Sequence, residues 1–154
     1  MKTIMIIDDD KVILDLFGSF LERKYNVETY MYPEEGVKQF ILNPNKYDLI
    51  ITDLMMAKMS GLDVISEVHN IRKDLPVAIF TGIGRFYPEG IYVIPKPCDH
   101  ETLMKHVEEL LTSEFFDVED FLKKSVNKLL DNSITKEEFI ANCMENINSH
   151  YILI

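Results

Sequence analysis

The sequence contains no tryptophan, only two cysteines, and no apolar stretch long enough to cross a membrane. Cys98 and Cys143 are too few for a disulfide framework and too isolated for a zinc site, so both are expected to be reduced thiols of a cytoplasmic protein. The first apolar run stops at Asp8, which is too short for the core of a signal peptide. A membrane-spanning helix needs a run of about 18 apolar residues, so none is expected.

Basic residues are also scarce, and the formal net charge is −10. Acidic residues outnumber basic ones on both sides of residue 113. Nucleic-acid binding relies on basic patches, so the charge argues against a DNA-binding protein. The 154 residues, of which 47% are hydrophobic and 27% charged, suit one soluble domain with an appendage.

Short apolar runs alternate with helical patterns in the first two-thirds of the chain. This alternation predicts an α/β domain over residues 1–112, with parallel strands joined by right-handed crossovers. Strands are predicted at 4–7, 27–30, 49–52, 76–80 and 92–94. Helices are predicted at 11–24, 33–42, 62–72 and after Asp99, which is expected to cap the last of them.

The rhythm breaks between the last two strands. Residues 82–90 contain three glycines and a proline, which favours a loop. A full crossover between parallel strands needs about a dozen residues. The helix expected at this point is therefore predicted to be missing or reduced to a turn.

From residue 113 to 154 the pattern is entirely helical and predicts a helical hairpin of two helices. Residues 131–133 interrupt the apolar periodicity, and Thr135 with Glu138 forms a capping box for the second helix. We expect this extension to form a second domain that serves as a partner or dimer element.

Polar side chains follow four of the predicted strands at the point where each strand ends. They are Asp8-Asp9-Asp10, Asp53, Thr81 and Lys96. Because ligands of open α/β sheets bind outside the carboxyl ends of the strands, these side chains are expected to converge. Carboxylates, a hydroxyl and an ammonium are the groups that a Mg²⁺-dependent phosphoryl site needs.

The residue types allow specific roles at such a site. Adjacent aspartates repel each other, so Asp8 and Asp9 favour a bound cation. Asp53 fits either a nucleophile or a metal ligand. Thr81 can donate to a phosphoryl oxygen, and Lys96 supplies a point charge. The flanking Pro95 and Pro97 are compatible with a cis Lys96–Pro97 bond.

At these residues the chain resembles the receiver domain of two-component response regulators. The matching segments occur in the family's order over roughly residues 1–112. They are Ile6-Ile7-Asp8-Asp9-Asp10, Tyr47 to Met56, Met59-Ser60-Gly61-Leu62, Leu75 to Gly82, and Pro95-Lys96-Pro97. The resemblance implies a doubly wound, flavodoxin-like five-stranded parallel sheet in the order 2-1-3-4-5.

The resemblance also implies roles for the converging residues. Asp53 is similar to the phosphoacceptor, Thr81 to the switch hydroxyl and Lys96 to the cation of the site. The Mg²⁺ ligands implied are Asp8, Asp9, Asp53 and the backbone carbonyl of Met55. A histidine kinase or phosphotransfer protein is implied as the phosphoryl donor, and no enzymatic activity beyond the domain's own phosphorylation and dephosphorylation. Asp10 has no role in the family and is interpreted as a helix cap.

The chain departs from the family pattern at several positions. Ala57 replaces a proline, Ser60 replaces an aspartate, and Val93 stands where the family has a switch aromatic. The neighbouring Tyr92 is expected to point to the other face of the strand. The shortened stretch between Thr81 and Lys96 removes most of the family's fourth helix, so we expect output to use a different surface, involving the 82–91 loop or the C-terminal hairpin.

Two other functions fit part of the sequence. Residues 8–12 also match Asp-x-Asp-x-Val, the nucleophile motif of haloacid-dehalogenase-type phosphatases, with Asp8 as nucleophile. That interpretation leaves Asp53 unexplained and lacks a later acidic pair. The second alternative is a receiver-like scaffold that is never phosphorylated, which the missing helix favours and the complete site disfavours.

Overall fold

A computed structural model describes residues 1–82, 91–112 and 126–142 of the chain. The chain divides into two compact units, Met1–Ser113 and Glu114–Ile154. Within the described ranges, no helix combines the length and the apolar character needed to cross a bilayer.

The first unit contains a five-stranded parallel sheet in the order β2-β1-β3-β4-β5, which confirms the predicted order. Its strands are β1 (Thr3–Ile7), β2 (Asn26–Tyr30), β3 (Leu49–Asp53), β4 (Val77–Thr81) and β5 (Tyr92–Pro95). Its helices are α1 (Lys11–Leu21), α2 (Pro33–Leu42), α3 (Gly61–Ile71) and α4 (His100–Thr112).

The predicted helix 11–24 ends early, at Leu21. The amides of Lys24 and Tyr25 both donate to the Leu21 carbonyl, at 3.0 and 2.9 Å, and form a turn there. Tyr25 is then buried in the core, which leads the chain directly into β2. Residues 22–24 are all charged and carry no apolar periodicity, so the sequence pattern did not fix where this helix ends.

Helix α3 begins one residue earlier than predicted, at Gly61, because Ser60 caps it. The Ser60 hydroxyl accepts from the Asp63 amide at 3.3 Å, and the Asp63 carboxylate accepts from the Ser60 amide at 2.8 Å. This reciprocal capping box satisfies donors that the first turn leaves unpaired. Ser60, which departs from the family pattern, thus has a clear local function.

Helices cover both faces of the sheet, so the predicted doubly wound architecture is confirmed. One apolar cluster joins the sheet to α1 and α4, and a second joins it to α2 and α3. The helical members of the two clusters include Leu14, Phe17, Leu103 and Val107 on one face, and Val37, Phe40, Val64 and Val68 on the other.

A group of polar side chains lies beside β2, and we call Glu28, Tyr30, Lys46 and Tyr47 the Glu28 cluster. Glu28 Oε2 accepts from the Tyr47 hydroxyl at 2.7 Å and from the Tyr30 hydroxyl at 3.1 Å, and Lys46 pairs with Oε1. Burial alone would raise the pKa of Glu28, but the hydrogen bonds from Lys46 and the two tyrosines lower it below its ordinary value. No motif in the sequence marks this cluster.

The described part of the second unit agrees with the predicted hairpin. Helical residues 126–130 and 136–142 flank a turn, in which Asn132 has a φ of 59°. The predicted capping box is present: Thr135 Oγ1 accepts from the Glu138 amide at 3.1 Å, and Glu138 Oε2 accepts from the Thr135 amide at 2.8 Å. The predicted loss of the family's fourth helix falls on residues 83–90, outside the described residues, as do residues 113–125 and 143–154 of the predicted hairpin.

Candidate functional site

The carboxyl ends of four strands meet at one edge of the sheet. Asp53 and Thr81 are the last residues of β3 and β4, while Asp8 and Lys96 directly follow β1 and β5. The strand register pairs Ile7 with Thr52, Asp53 with Phe80, and Thr81 with Pro95, so these ends lie side by side. The topology therefore brings the sequence-predicted residues to one place.

Three of these side chains are in direct contact, and we call Asp8, Asp53 and Lys96 the Asp53 cluster. The Lys96 ammonium donates to Asp8 Oδ2 and to Asp53 Oδ1, each at 2.6 Å. The side chains of Asp8 and Asp53 are only 3% and 11% exposed, and that of Lys96 is 20% exposed. One ammonium between two buried carboxylates leaves the cluster with a surplus of negative charge.

Backbone amides fix the orientation of both carboxylates. The Asp10 amide donates to Asp8 Oδ1 at 2.9 Å, and the Met55 amide donates to Asp53 Oδ2 at 2.6 Å. Each carboxylate therefore accepts a hydrogen bond from a main-chain amide on one oxygen and from Lys96 on the other. Groups held in this way are already oriented before a ligand arrives.

Burial and hydrogen bonding shift the pKa values of Asp8 and Lys96. Burial raises the pKa of the Asp8 carboxyl above its ordinary value, although hydrogen bonds from Lys96 and the Asp10 amide oppose the shift. Burial would lower the pKa of the Lys96 ammonium, but its hydrogen bonds to Asp53 and Asp8 outweigh burial and raise it. Lys96 is thus held in its charged form, while Asp8 lies where negative charge is costly.

The main chain around Asp53 is closely packed against the start of α3. A Cβ atom added to Gly61 would lie 2.3 Å from the Asp53 carbonyl oxygen, closer than atoms can approach. The Gly61 amide also donates to the Leu54 carbonyl at 2.9 Å. Glycine is therefore the residue that lets α3 begin directly beside the phosphoacceptor candidate.

Thr81 lies at the same edge and is 3% exposed. Its carbonyl accepts from the Lys96 amide at 2.9 Å, which fixes the two residues relative to each other through the backbone. The Lys96–Pro97 bond is cis, as the two flanking prolines allowed.

Asp9 and Asp10 differ from Asp8 in their surroundings. Asp10 caps α1, and its carboxylate accepts from the Val12 amide at 2.8 Å, as predicted. Asp9 is exposed. Among the residues that the structure describes, no three His, Cys, Asp or Glu side chains form a group that could hold a metal ion.

The donors that are present are nevertheless of the type that Mg²⁺ prefers. Mg²⁺ is usually held by one or two carboxylates, with waters and phosphate oxygens completing its shell. Asp8 and Asp53 supply two carboxylates with surplus negative charge, which a divalent cation would neutralise. The residues of the Asp53 cluster therefore fit this cation.

Tyr92 points away from the position of the family's switch aromatic, as strand alternation predicted. Its hydroxyl lies 2.7 Å from His106 Nδ1 and donates to Glu109 Oε2 at 2.9 Å, both on α4. Val93, which stands where the family has a switch aromatic, pairs with Ile79 of β4.

Phe80 is a neighbour of the site that no sequence motif predicted. The Lys96 ammonium lies 4.8 Å from the centroid of the Phe80 ring. A phenylalanine within an apolar strand predicts a core residue. The one signal of its position near the site was that it directly precedes Thr81.

Residues 4–108 match the family model of the response regulator receiver domain, which covers more than half of the chain. The transcriptional regulatory protein GlrR of Escherichia coli (strain K12) is 30% identical over 116 residues, which cover 70% of this chain. This chain spans about a quarter of the length of GlrR, since the match covers 26% of it.

Solved structures show the same likeness. A response regulator receiver domain protein from Clostridium thermocellum is 30% identical, with a TM-score of 0.67, over 72% of this chain and 94% of that one. The structure of histidine kinase ThkA in complex with the response regulator TrrA matches at 28% identity with a TM-score of 0.63, over 73% of this chain and 100% of the matched chain.

Proposed function

Because the chain belongs to the response regulator receiver family, we propose that it accepts a phosphoryl group on Asp53 in a Mg²⁺-dependent reaction. The observation that carries this proposal is the pair of 2.6 Å hydrogen bonds from Lys96 to Asp8 and Asp53. These bonds join three of the residues that the sequence predicted for phosphoryl chemistry. The domain acts as a signalling switch and promotes only its own phosphorylation and dephosphorylation.

In the proposed reaction, a carboxylate oxygen of Asp53 attacks the phosphorus of a phosphohistidine. The new O–P bond forms as the P–N bond breaks, and the departing imidazole nitrogen takes a proton from water. The Met55 amide and the Lys96 ammonium hold the two Asp53 oxygens and so orient the nucleophile. Lys96 also places positive charge where the phosphoryl oxygens arrive.

Phosphorylation of receiver domains is generally Mg²⁺-dependent. In this chain Asp8, Asp9, Asp53 and the Met55 carbonyl are the proposed ligands. When bound, Mg²⁺ offsets the negative charge of the phosphoryl oxygens. Thr81 is proposed to donate its hydroxyl to the phosphoryl group and thereby to sense its presence.

We propose a histidine kinase or a phosphotransfer protein as the donor. The complex of ThkA with TrrA supports a kinase partner, because TrrA is a response regulator bound to a histidine kinase. The proposal concerns only the receiver part, since GlrR is about four times as long as the matched region.

The decisive experiment locates the phosphoryl group. The full chain is incubated with acetyl phosphate and Mg²⁺, and borohydride then reduces any aspartyl phosphate to homoserine, which mass spectrometry locates. We expect homoserine at position 53, loss of labelling in Asp53→Ala, and normal labelling in Asp15→Asn, which changes an exposed aspartate of α1.

Two other outcomes would contradict the proposal. Homoserine at position 8 would support the phosphatase alternative, in which Asp8 is the nucleophile. Intact mass without any added phosphoryl group, with either acetyl phosphate or a phosphorylated kinase, would support the scaffold that is never phosphorylated.

The helical extension is proposed as a partner or dimer element. In support, Leu130 and Ile140 are 74% and 56% exposed, although large apolar side chains usually gain by burial. Light scattering with and without beryllofluoride and Mg²⁺ tests this role. A mass that stays at one chain, together with unchanged amide signals in the extension on beryllofluoride binding, would oppose it.

A further inference from the structure

The Lys96 ammonium has an aromatic neighbour in addition to its two carboxylates. An ammonium has three N–H donors, and two of them are directed at Asp8 and Asp53. The Phe80 ring centroid lies 4.8 Å from Lys96 Nζ. A cation is attracted to the face of an aromatic ring within about 6 Å of its centroid, so this distance is favourable.

The surroundings strengthen this attraction. Phe80 is only 2% exposed. A largely apolar hollow of about 230 Å³ borders both Phe80 and Lys96, and Ile13 and Phe17 of α1 also line it. Cation–π attraction is stronger where water is excluded than at an open surface.

The position of the Phe80 ring is set by the fold. In β4, Phe80 pairs with Asp53 of β3 on one side and with Ile94 of β5 on the other. Its ring packs against Phe17, with centroids 4.4 Å apart and planes tilted by 59°. The Phe80 ring therefore attracts the Lys96 ammonium towards a fixed position.

We infer that Phe80 is a positioning residue, whose ring face holds the Lys96 ammonium between Asp8 and Asp53. This inference rests on the proposed function, because it assigns Phe80 to the same phosphoryl-transfer site. Lysine has a flexible stem with four carbons, and its two hydrogen bonds leave the ammonium free to pivot about them. The ring supplies attraction from a third direction, so the charge is already in place when a phosphoryl group approaches.

Fluorinated phenylalanines test this inference with only a small change in the size of the ring. Fluorine withdraws electron density from the ring face and weakens its attraction for a cation. Incorporation of 4-fluoro-, 3,5-difluoro- and 3,4,5-trifluorophenylalanine at position 80 should lower the rate of labelling by acetyl phosphate stepwise. We expect about a tenfold decrease for the trifluoro variant, which corresponds to about 1.4 kcal/mol.

Phe17 provides the matched control. It is as buried as Phe80, packs against it, and belongs to the same cluster. The same three analogues at position 17 should change the labelling rate less than twofold. A spectroscopic measurement accompanies the rates: the Lys96 ε-methylene protons should move downfield in Phe80→Leu, because they lose the shielding of the ring.

The outcomes separate the inference from the proposed function. If the wild-type chain is labelled on Asp53 but the rate is the same for all analogues at position 80, the inference is wrong and the proposed function stands. The inference would also be refuted if the labelling rate fell equally with added fluorine at positions 17 and 80, since the effect would then come from packing. If the wild-type chain is not labelled on Asp53, both fall together.

Discussion

The Asp53 cluster and the Glu28 cluster both join lysine to carboxylate at the same sheet, but they balance charge in opposite ways. In the Asp53 cluster two buried carboxylates share one ammonium. In the Glu28 cluster one carboxylate receives Lys46 and two tyrosine hydroxyls. The pKa of Asp8 is raised, mainly by burial, whereas that of Glu28 is lowered by its donors, which outweigh burial.

The difference separates a structural cluster from one prepared for a ligand. The donors of the Glu28 cluster satisfy its carboxylate within the folded chain. The Asp53 cluster keeps an excess of negative charge, which is costly in the free protein and useful once a cation binds. Such a cost is expected at sites that are shaped for function.

The largest expected effect is a loss of stability in Gly61→Ala. It tests whether the Asp53 cluster depends on the close packing of the main chain around Asp53. In Gly61→Ala, the new Cβ would meet the Asp53 carbonyl oxygen at 2.3 Å, so the backbone must shift. We expect the free energy of unfolding, measured in urea, to fall by about 3 kcal/mol. Labelling of Asp53 should also slow. Gly36→Ala is the control, since its Cβ meets the flexible end of Ile7 at 2.8 Å. A loss as large in Gly36→Ala would contradict a special role for Gly61.

The next largest expected effect is a loss of stability when the Glu28 carboxylate loses its charge. Glu28→Gln keeps the shape of the side chain but replaces charged hydrogen bonds to Tyr30 and Tyr47 with neutral ones. The free energy of unfolding should fall by about 1.5 kcal/mol, while the labelling rate stays at the wild-type value. Glu67→Gln, which changes an exposed residue of α3, should leave the stability unchanged. Slower labelling in Glu28→Gln would mean that the two clusters are coupled.

In the Asp53 cluster, by contrast, removing a carboxylate charge is expected to raise the free energy of unfolding. Asp8→Asn removes surplus negative charge, so the free energy of unfolding without Mg²⁺ should rise by about 1 kcal/mol, although labelling is impaired. Asp15→Asn, which changes an exposed carboxylate of α1, should show no such gain. A loss of stability in Asp8→Asn would refute the idea that this cluster is electrostatically costly.

The smallest effect is a pH dependence. The folded-state pKa of Glu28 lies below its ordinary value of 4.5, so its stabilising contribution is complete above that pH and is lost as the pH falls through the folded pKa. The stability difference between the wild type and Glu28→Gln should therefore shrink on acidification from pH 5 to pH 3. Thermal unfolding at several pH values measures it, and a difference that grows instead would contradict the assigned shift.

Local signals predicted much of the fold. The capping residues Asp10 and Asp99 and the Thr135–Glu138 box are where short-range hydrogen bonding placed them. The meeting of Asp8, Asp53 and Lys96 was also predictable, because parallel strands bring their carboxyl ends to one edge. The required information lay in strand order and periodicity.

Contacts between distant segments were not predictable in the same way. The hydrogen bond from Tyr47 to Glu28 and the approach of Lys96 to Phe80 depend on side-chain directions that no local pattern specifies. The end of α1 at Leu21 likewise depends on where Tyr25 becomes buried. In each case tertiary packing decided the outcome.

The contact of Gly61 with Asp53 has a consequence for the length of the connecting loop. Loops generally tolerate insertions and deletions because they run over the surface. Here the seven residues between Asp53 and Gly61 start and finish where the main chain is so close that a Cβ on Gly61 would lie 2.3 Å from the Asp53 carbonyl oxygen. One residue more or fewer would displace Gly61 and put a side chain against the Asp53 carbonyl. We therefore expect this loop to tolerate changes in length less well than an ordinary surface loop.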